Sequence, residues 1–230
     1  MYGFDFNGTY SKAVRVFVVE RPPIPKARKI LEYQKIPARG TVTFDTGAYE
    51  DVNLTFKCAI VGIDIIDQTM ILNNWLDGDG ILRLDYLEGF FFKVKDVIFD
   101  GTNVNCVTGE FEVTFVCDPF KYYDVGLEVI TVTETKEVIA PEFFYKSEPI
   151  LKVYGNGSGI IVLNEDILTI KDIDEYIYID SYTKNAYKDA NTNLNKNMTG
   201  YFPMLEEQVT SVTFGGDITK IEVVANWRCK

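Results

Sequence analysis

Residues 200–230, GYFPMLEEQVTSVTFGGDITKIEVVANWRCK, decide the reading of this chain. Phe202-Pro203 reads as a proline-anchored turn. One strand follows, then Gly215-Gly216 as a turn, and a second strand that ends on the Trp227-Arg228 pair. Alternating β-branched and aromatic residues bounded by Gly and Pro mark strands. The stretch therefore predicts an all-β closing hairpin built for packing and assembly, and nothing in it has the character of a catalytic group.

Working back from there, the second half reads as strands throughout: Ile150–Tyr154, Ile160–Leu163, Ile167–Ile170, Tyr176–Ile179 and Tyr182–Tyr187, the last with a turn at Lys184-Asn185. Gly155-Asn-Gly-Ser-Gly159 between two of them predicts a β-turn. It is no phosphate loop, because no Lys-Ser/Thr and no helix start follow it. Asp172, Asp174 and Glu175 predict a solvated loop rather than a paired-carboxylate site. Short strands with turn signals every 8–12 residues indicate a sandwich. The first half predicts strands at 13–19, 41–44, 51–60, 81–86, 90–99, 104–107 and 110–117. In the last of these Phe111, Val113, Phe115 and Cys117 share one face, opposite Glu110, Glu112 and Thr114. Between them lies a helix capped by Asp64, with Ile65, Thr69, Leu72 and Leu76 on one side and Ile66, Met70 and Trp75 widening its apolar stripe. Gly78 sits just past its end, where a left-handed residue is often needed. The expected fold is mainly β, in two domains, 1–125 and 126–230, the first β-sandwich-like with one packed helix.

Composition excludes several function classes. The net charge of −11 argues against a polyanion as the main ligand. Residues 12–39 depart from it, with eight basic residues against Glu20 and Glu32. Within this stretch Arg21, Lys26, Arg28, Lys29 and Arg39 are the candidates for an oligomer interface, a basic arm docking on the acidic surface of another copy. No apolar run approaches the roughly 18 residues of a membrane span, and the start lacks the features of a signal peptide. Synthesis and assembly in a cytoplasm are expected. The chain has no histidine, and its four cysteines (58, 106, 117 and 229) lack zinc spacing. Cys106 and Cys117, on either side of a turn expected at Thr108-Gly109, are out of register for a bridge. Asp77-Gly-Asp-Gly80 with Glu88 begins like a calcium loop, but Ile81 and Leu82 stand where a ligand and a glycine are required. No catalytic, metal or cofactor residue is assigned. Tyr176, Tyr178, Tyr182 and Tyr187 form a candidate peripheral binding surface, with stacking on a sugar as the alternative function.

Three groups of segments together resemble the distal tail protein of long-tailed bacteriophages. They are Phe6-Asn-Gly8, Glu20-Arg-Pro-Pro-Ile-Pro25, Ala38-Arg-Gly40 and Tyr49–Val52 near the start; Trp75-Leu76 and Cys117-Asp-Pro-Phe120 in the middle; and Ile179-Asp-Ser181, Ala186–Asp189, Phe202–Leu205 and Asn226-Trp-Arg228 at the end. The resemblance implies a hexameric ring at the virion tail tip, assembled in the bacterial host cytoplasm. The N-terminal domain would make the ring, linking tail tube to tip proteins. The C-terminal domain would be a galectin-like β-sandwich that docks receptor-binding proteins. The resemblance implies no catalysis, membrane or specific nucleic-acid binding, although DNA may pass through the ring, which an acidic surface suits. After Phe-Pro-x-Leu the family usually carries a Gly and an Asn in a tight turn; here Gln208 and Thr210 stand in those places.

Overall fold

A computed structural model describes residues 2–105 and 107–230; Cys106 lies outside the described residues. The strands are β1 Phe4–Phe6, β2 Thr9–Tyr10, β3 Val16–Glu20, β4 Lys29–Ile36, β5 Gly40–Tyr49, β6 Val52–Val61, β7 Gly80–Leu84, β8 Phe90–Phe99, β9 Asn103–Val104, β10 Thr108–Cys117, β11 Lys121–Tyr123, β12 Val129–Val132, β13 Lys136–Ile139, β14 Ile150–Leu163, β15 Asp166–Asp180, β16 Asn185–Tyr187, β17 Met198–Thr199, β18 Val209–Val224 and β19 Arg228–Cys229. The α-helix is α1, Ile65–Trp75. The architecture is mainly β, as the sequence predicts. Two units emerge, one ending at Lys121 but including Lys230, the other Tyr122–Cys229.

In the first unit the strands run in the order β2-β1-β7-β8-β10-β6-β3, with β9 on β10. The alternation read in residues 110–117 is realised: Phe111, Val113, Phe115 and Cys117 are buried and Glu110 and Glu112 exposed. Thr108-Gly109 is not a turn but the start of β10, where Thr108 lies opposite Val61. Facing residues on β6 and β10, such as Leu54 and Phe115, belong to one core, with Phe4, Phe6 and Phe56 around Phe115. This clustering suits aromatics on strands, which gain by edge-to-face packing beyond their buried area.

Helix α1 departs from its expected cap. Asp64 precedes it, but its side chain caps no N–H; Arg15 Nη1 holds both carboxylate oxygens at 2.8 and 3.1 Å. The core face is narrower than the sequence suggests. Ile65, Leu72 and Leu76 are buried, the Gln68 side chain donates to the Val14 carbonyl at 2.8 Å, and Trp75 stacks on Phe4. Ile66 and Met70, expected to widen that face, are 69% and 59% exposed. At the helix exit Gly78 has φ 76°, the left-handed conformation expected there. The Asn7 carboxamide clamps the next turn, donating to the Asp79 carbonyl at 3.0 Å and accepting from Ile81 N–H at 2.9 Å.

Burial sets the chemistry of the thiols. Cys58, Cys117 and Cys229 are buried and unbridged. Loss of hydration pushes the Cys58 and Cys117 thiols up to about 12, with the Asp118 and Asp51 carboxylates adding to the effect at Cys117. Only the thiolate is an effective nucleophile. At pH 8 both should therefore resist iodoacetamide in the folded protein and alkylate rapidly once it unfolds, as peptide mass mapping will show. Rapid native labelling of either would contradict this burial.

The second unit differs most from the sequence reading. The strands run β12-β18-β14-β15-β16, with β13 on β18 and β17 on β15. Instead of many short strands there are three of 14 to 16 residues. Gly155–Gly159 is not a turn but the middle of β14, and Asp172–Glu175 lies within β15. Gly215-Gly216 lies within β18 and makes no hairpin. The three interruptions are neighbours: Gly157 pairs with Ile173, and Gly159 pairs with both Ile170 and Gly216, with register shifts at each place. They are one bend crossing three strands. Bulges and glycines bend strands in this way. Because the sheet curls there, residues from both ends of β14 (Leu151 and Val153; Ile161 and Leu163) enter a single sandwich-like core. Trp227 packs edge-on to Phe144 at 5.1 Å, and the buried Arg228 guanidinium bonds the Lys146 carbonyl and the Glu148 carboxylate. Gln208 tethers its carboxamide to the Ala140 and Pro141 carbonyls, so no left-handed residue is needed there.

Candidate functional site

Two exposed surfaces contain the residues singled out from the sequence. The first is the basic segment. The sequence reading treats residues 12–39 as a basic arm; the structure puts Val16–Glu20 of it in β3 and Lys29–Ile36 in β4, one half of a β-ribbon. Among the described residues, strands β4 and β5 pair only with each other, from Lys29 opposite Tyr49 to Ile36 opposite Gly40. Nearly every residue of the ribbon is exposed. Directly opposed residues on an antiparallel pair share a face. Glu32 faces Phe44, Gln34 faces Val42 and Ile36 faces Gly40. Ile36, Val42 and Phe44, with Ile30 alternating onto the same side, are exposed apolar residues on a face that also carries Glu32 and Gln34; Phe44 is 50% exposed. The opposite face carries Leu31, Tyr33, Lys35, Thr41, Thr43 and Asp45.

The five candidate cations do not act alike. Arg21 lies over the rings of Tyr2 and Tyr86, at 4.2 and 4.4 Å from their centroids. Arg28 reaches Glu50 at 3.6 Å. Lys29 pairs with Asp45, whose carboxyl is held below its usual range by that hydrogen bond and by Gly47 N–H. Lys26 and Arg39 are exposed and form no ion pair among the described residues. Sequence reasoning found the cations but missed Ile30, Ile36 and the pairing of β4 with β5. The available signal was Ile36-Pro-Ala-Arg-Gly40, a turn joining two runs of similar length.

The second surface is on the outer face of the curled sheet. Tyr178 and Tyr187 stack at 5.3 Å, Tyr176 meets Tyr178 edge-on at 5.8 Å, and Tyr154 joins at 6.2 Å. Three of the four predicted tyrosines thus come together; Tyr182 stands on the turn after β15, its N–H bonded to Asp180. Tyr154 and three lysines escaped the sequence reading. Lys152 lies over the rings of Tyr154, Tyr176 and Tyr178, 4.4 to 5.1 Å from their centroids. Lys220 lies over Tyr154 at 4.0 Å, and Lys188 over Tyr176 at 5.4 Å. Hydrogen bonds to Tyr154 and Tyr178 hold the Lys152 ammonium above the ordinary lysine range. Bonds from Lys220 and Tyr154 hold Glu222 below that of a free carboxylate. A sugar stacking here would have to displace Lys152. Among the described residues no cluster of three metal-ligating side chains occurs.

No protein-family model matches the chain, and no curated protein does. Among solved structures it is similar over its whole length to the Dit (gp 19.1) protein of phage SPP1, called a paradigm of the hub adsorption apparatus in phages infecting Gram-positive bacteria. The TM-score is 0.71 at 12% identity, covering 100% of this chain and 98% of that one. The fold is that of a phage Dit protein. It is also similar to chains of the phage P2 baseplate in its activated conformation. The form with Ca gives a TM-score of 0.58 at 9% identity and the form with Sr 0.53 at 10%, each covering 100% of this chain and 98% of that chain. The Dit fold thus agrees with the resemblance read from the sequence, and it spans both units.

Proposed function

We propose that this chain is a structural component of a phage or prophage tail tip, assembling into a ring of six that joins the tail tube to tip and receptor-binding proteins. The β4–β5 ribbon carries this conclusion, on a chain whose fold from end to end is that of the SPP1 hub. A lone two-stranded ribbon is marginally stable in water, and open strand edges invite pairing with another chain. The ribbon is therefore built to be covered on assembly. A ring demands a head-to-tail contact that closes on itself, and an arm that engages a different surface of the next copy supplies one. The acidic balance of the rest of the chain suits a conduit for DNA. The work is structural rather than catalytic, and the outer tyrosine face is the surface we assign to peripheral tail proteins.

Negative-stain imaging and mass measurement in solution test the reading; six-fold rings are expected. Lys26→Glu with Arg39→Glu should weaken assembly roughly tenfold, since exposed charge pairs each contribute up to about 1 kcal/mol. A chain that stays monomeric at high concentration overturns the ring. Specific glycan binding lost in Tyr176→Ala or Tyr178→Ala would favour the carbohydrate reading instead.

A further inference from the structure

Helix α1 is apolar on both sides, which is the pattern of a buried helix. Its inner side enters the core, whereas its outer side is bare. Ile66, Met70 and Ile71 are exposed there beside Asp67, Asn73 and Asn74, and Ile63, just ahead of the helix, is 95% exposed. Val61, Val104 and Val107 extend the apolar surface, and a groove lined by Ile63, Ile66, Asp67, Val104 and Asn105 runs along it. Contiguous apolar exposure of this kind marks an interaction site. Acids stand at both ends: Asp64 and Asp67 at the helix start, Asp77 and Asp79 beyond its end. No basic residue occurs between Val61 and Asp79. Asp64 is shared with Arg15; Asp67, Asp77 and Asp79 are exposed.

The β4–β5 ribbon has the complementary pattern. Its face with Ile30, Ile36, Val42 and Phe44, interrupted by Glu32 and Gln34, spans about 20 Å at ~3.3 Å per residue. Cations stand at both ends, with Lys26 and Arg28 at the base and Arg39 at the tip. Between Lys26 and Arg39 the sequence holds five basic residues and one acid, Glu32, and of the five Arg28 and Lys29 are engaged by Glu50 and Asp45. Helix α1 is about 16 Å long at ~1.5 Å per residue, and Ile63 extends its patch further. Length, apolarity and end charges therefore agree. Resting on the ring reading above, we infer that the ribbon of one copy lays its Ile30/Ile36/Val42/Phe44 face on the outer side of α1 of the next copy. Its end cations then lie against the aspartates that flank the helix. The two surfaces are different parts of one unit, so the contact is head-to-tail and can close.

The test uses the full chain with Cys106→Ser, so that the remaining native thiols are the three buried ones. Phe44→Cys and Met70→Cys are made singly and together, and each protein is treated with a short bis-maleimide. The expected result is a ladder of covalent dimers to hexamers for the double variant alone, at least tenfold above either single variant. Rings with no such excess show that the ribbon covers another surface; the docking inference then fails while the ring stands. A covalent dimer from Phe44→Cys alone means ribbon meets ribbon and likewise overturns it. Chains that remain monomeric overturn the ring reading and this inference together. A second arm guards against a merely disruptive thiol. Arg39→Asp and Asp67→Lys should each lower the ring fraction several-fold, and the two combined in one chain should restore it. Failure to restore it in a folded chain counts against the charge pairing proposed here.

Discussion

Phe115→Ala is expected to destabilise the N-terminal unit by about 3–5 kcal/mol, the upper range for a buried aromatic replaced by alanine. Phe115 has no solvent exposure and lies on β10, which is paired on both sides, opposite Leu54 on β6 and Val97 on β8. Its ring centroid lies 5.3 Å from that of Phe4, 5.2 Å from Phe6 and 5.9 Å from Phe56. Alanine removes the transfer term and three aromatic contacts at once. The surrounding rings sit on two strands, β1 and β6, each held in the sheet, so they cannot easily close the cavity. One tryptophan reports on this unit: Trp75 stacks on Phe4 at 5.6 Å, and Phe4 touches Phe115. In a Trp227→Phe background, urea unfolding followed by Trp75 fluorescence isolates the transition. A loss below about 1 kcal/mol would mean that the cavity collapses and that the aromatic cluster is not the centre of the core.

The place of Phe115 in the core was legible in the sequence because the cause is local. The alternation along Phe111–Cys117 assigns each side chain to a face, and the face is set before any partner strand is known. The outer side of α1 was not legible for the opposite reason. A helical period shows that Ile66 and Met70 lie beside Ile65 and Leu72, but it cannot show where the facing sheet ends. The sequence reading therefore gave both residues to the core. The ribbon was hidden by composition: prolines and cations over 12–39 read as a basic arm, although the turn at Ile36–Gly40 joins two neighbouring strands. The tyrosines at 176, 178 and 187 were recognised as a group. Lys152 comes from a neighbouring strand, so no spacing along β15 announces the cation on their rings. The surfaces proposed to tie this chain to a larger assembly are thus the ones on which sequence reasoning was weakest. An interface left open in one chain has no internal partner to impose a pattern on it.

Gly155→Ala should disrupt the C-terminal unit, and it tests why the same kind of reading mistook a bend for turns. Glycine runs at 155–159 and 215–216 look like hairpin turns because turns are where glycine is usually needed. Here the need is close approach. A Cβ at Gly155 would lie 2.4 Å from the Asp217 carbonyl oxygen and 3.1 Å from the Ile218 Cα. At Gly159 it would meet the Ile218 side chain at 2.5 Å and the Gly215 carbonyl at 2.6 Å. Gly216, at φ 78°, is also closed to a side chain, with the Ser158 carbonyl 2.6 Å from its Cβ position. The obstructing atoms are largely backbone, in strands held by ladder bonds, so relief requires β14 and β18 to separate. Overpacking of this kind costs about 1–3 kcal/mol and more where the backbone itself must move. Gly215 is the internal control: its Cβ position is open and its φ is not left-handed. Gly215→Ala should change stability by no more than about 0.5 kcal/mol. Urea unfolding in a Trp75→Phe background, read through Trp227 in the core of this unit, distinguishes the two. Equal effects from Gly155→Ala and Gly215→Ala would show that the glycines act through flexibility rather than contact. Unequal effects would place the origin of the curl in the contact of β14 with β18, and with it the way three long strands enclose one core while holding the tyrosine face outward.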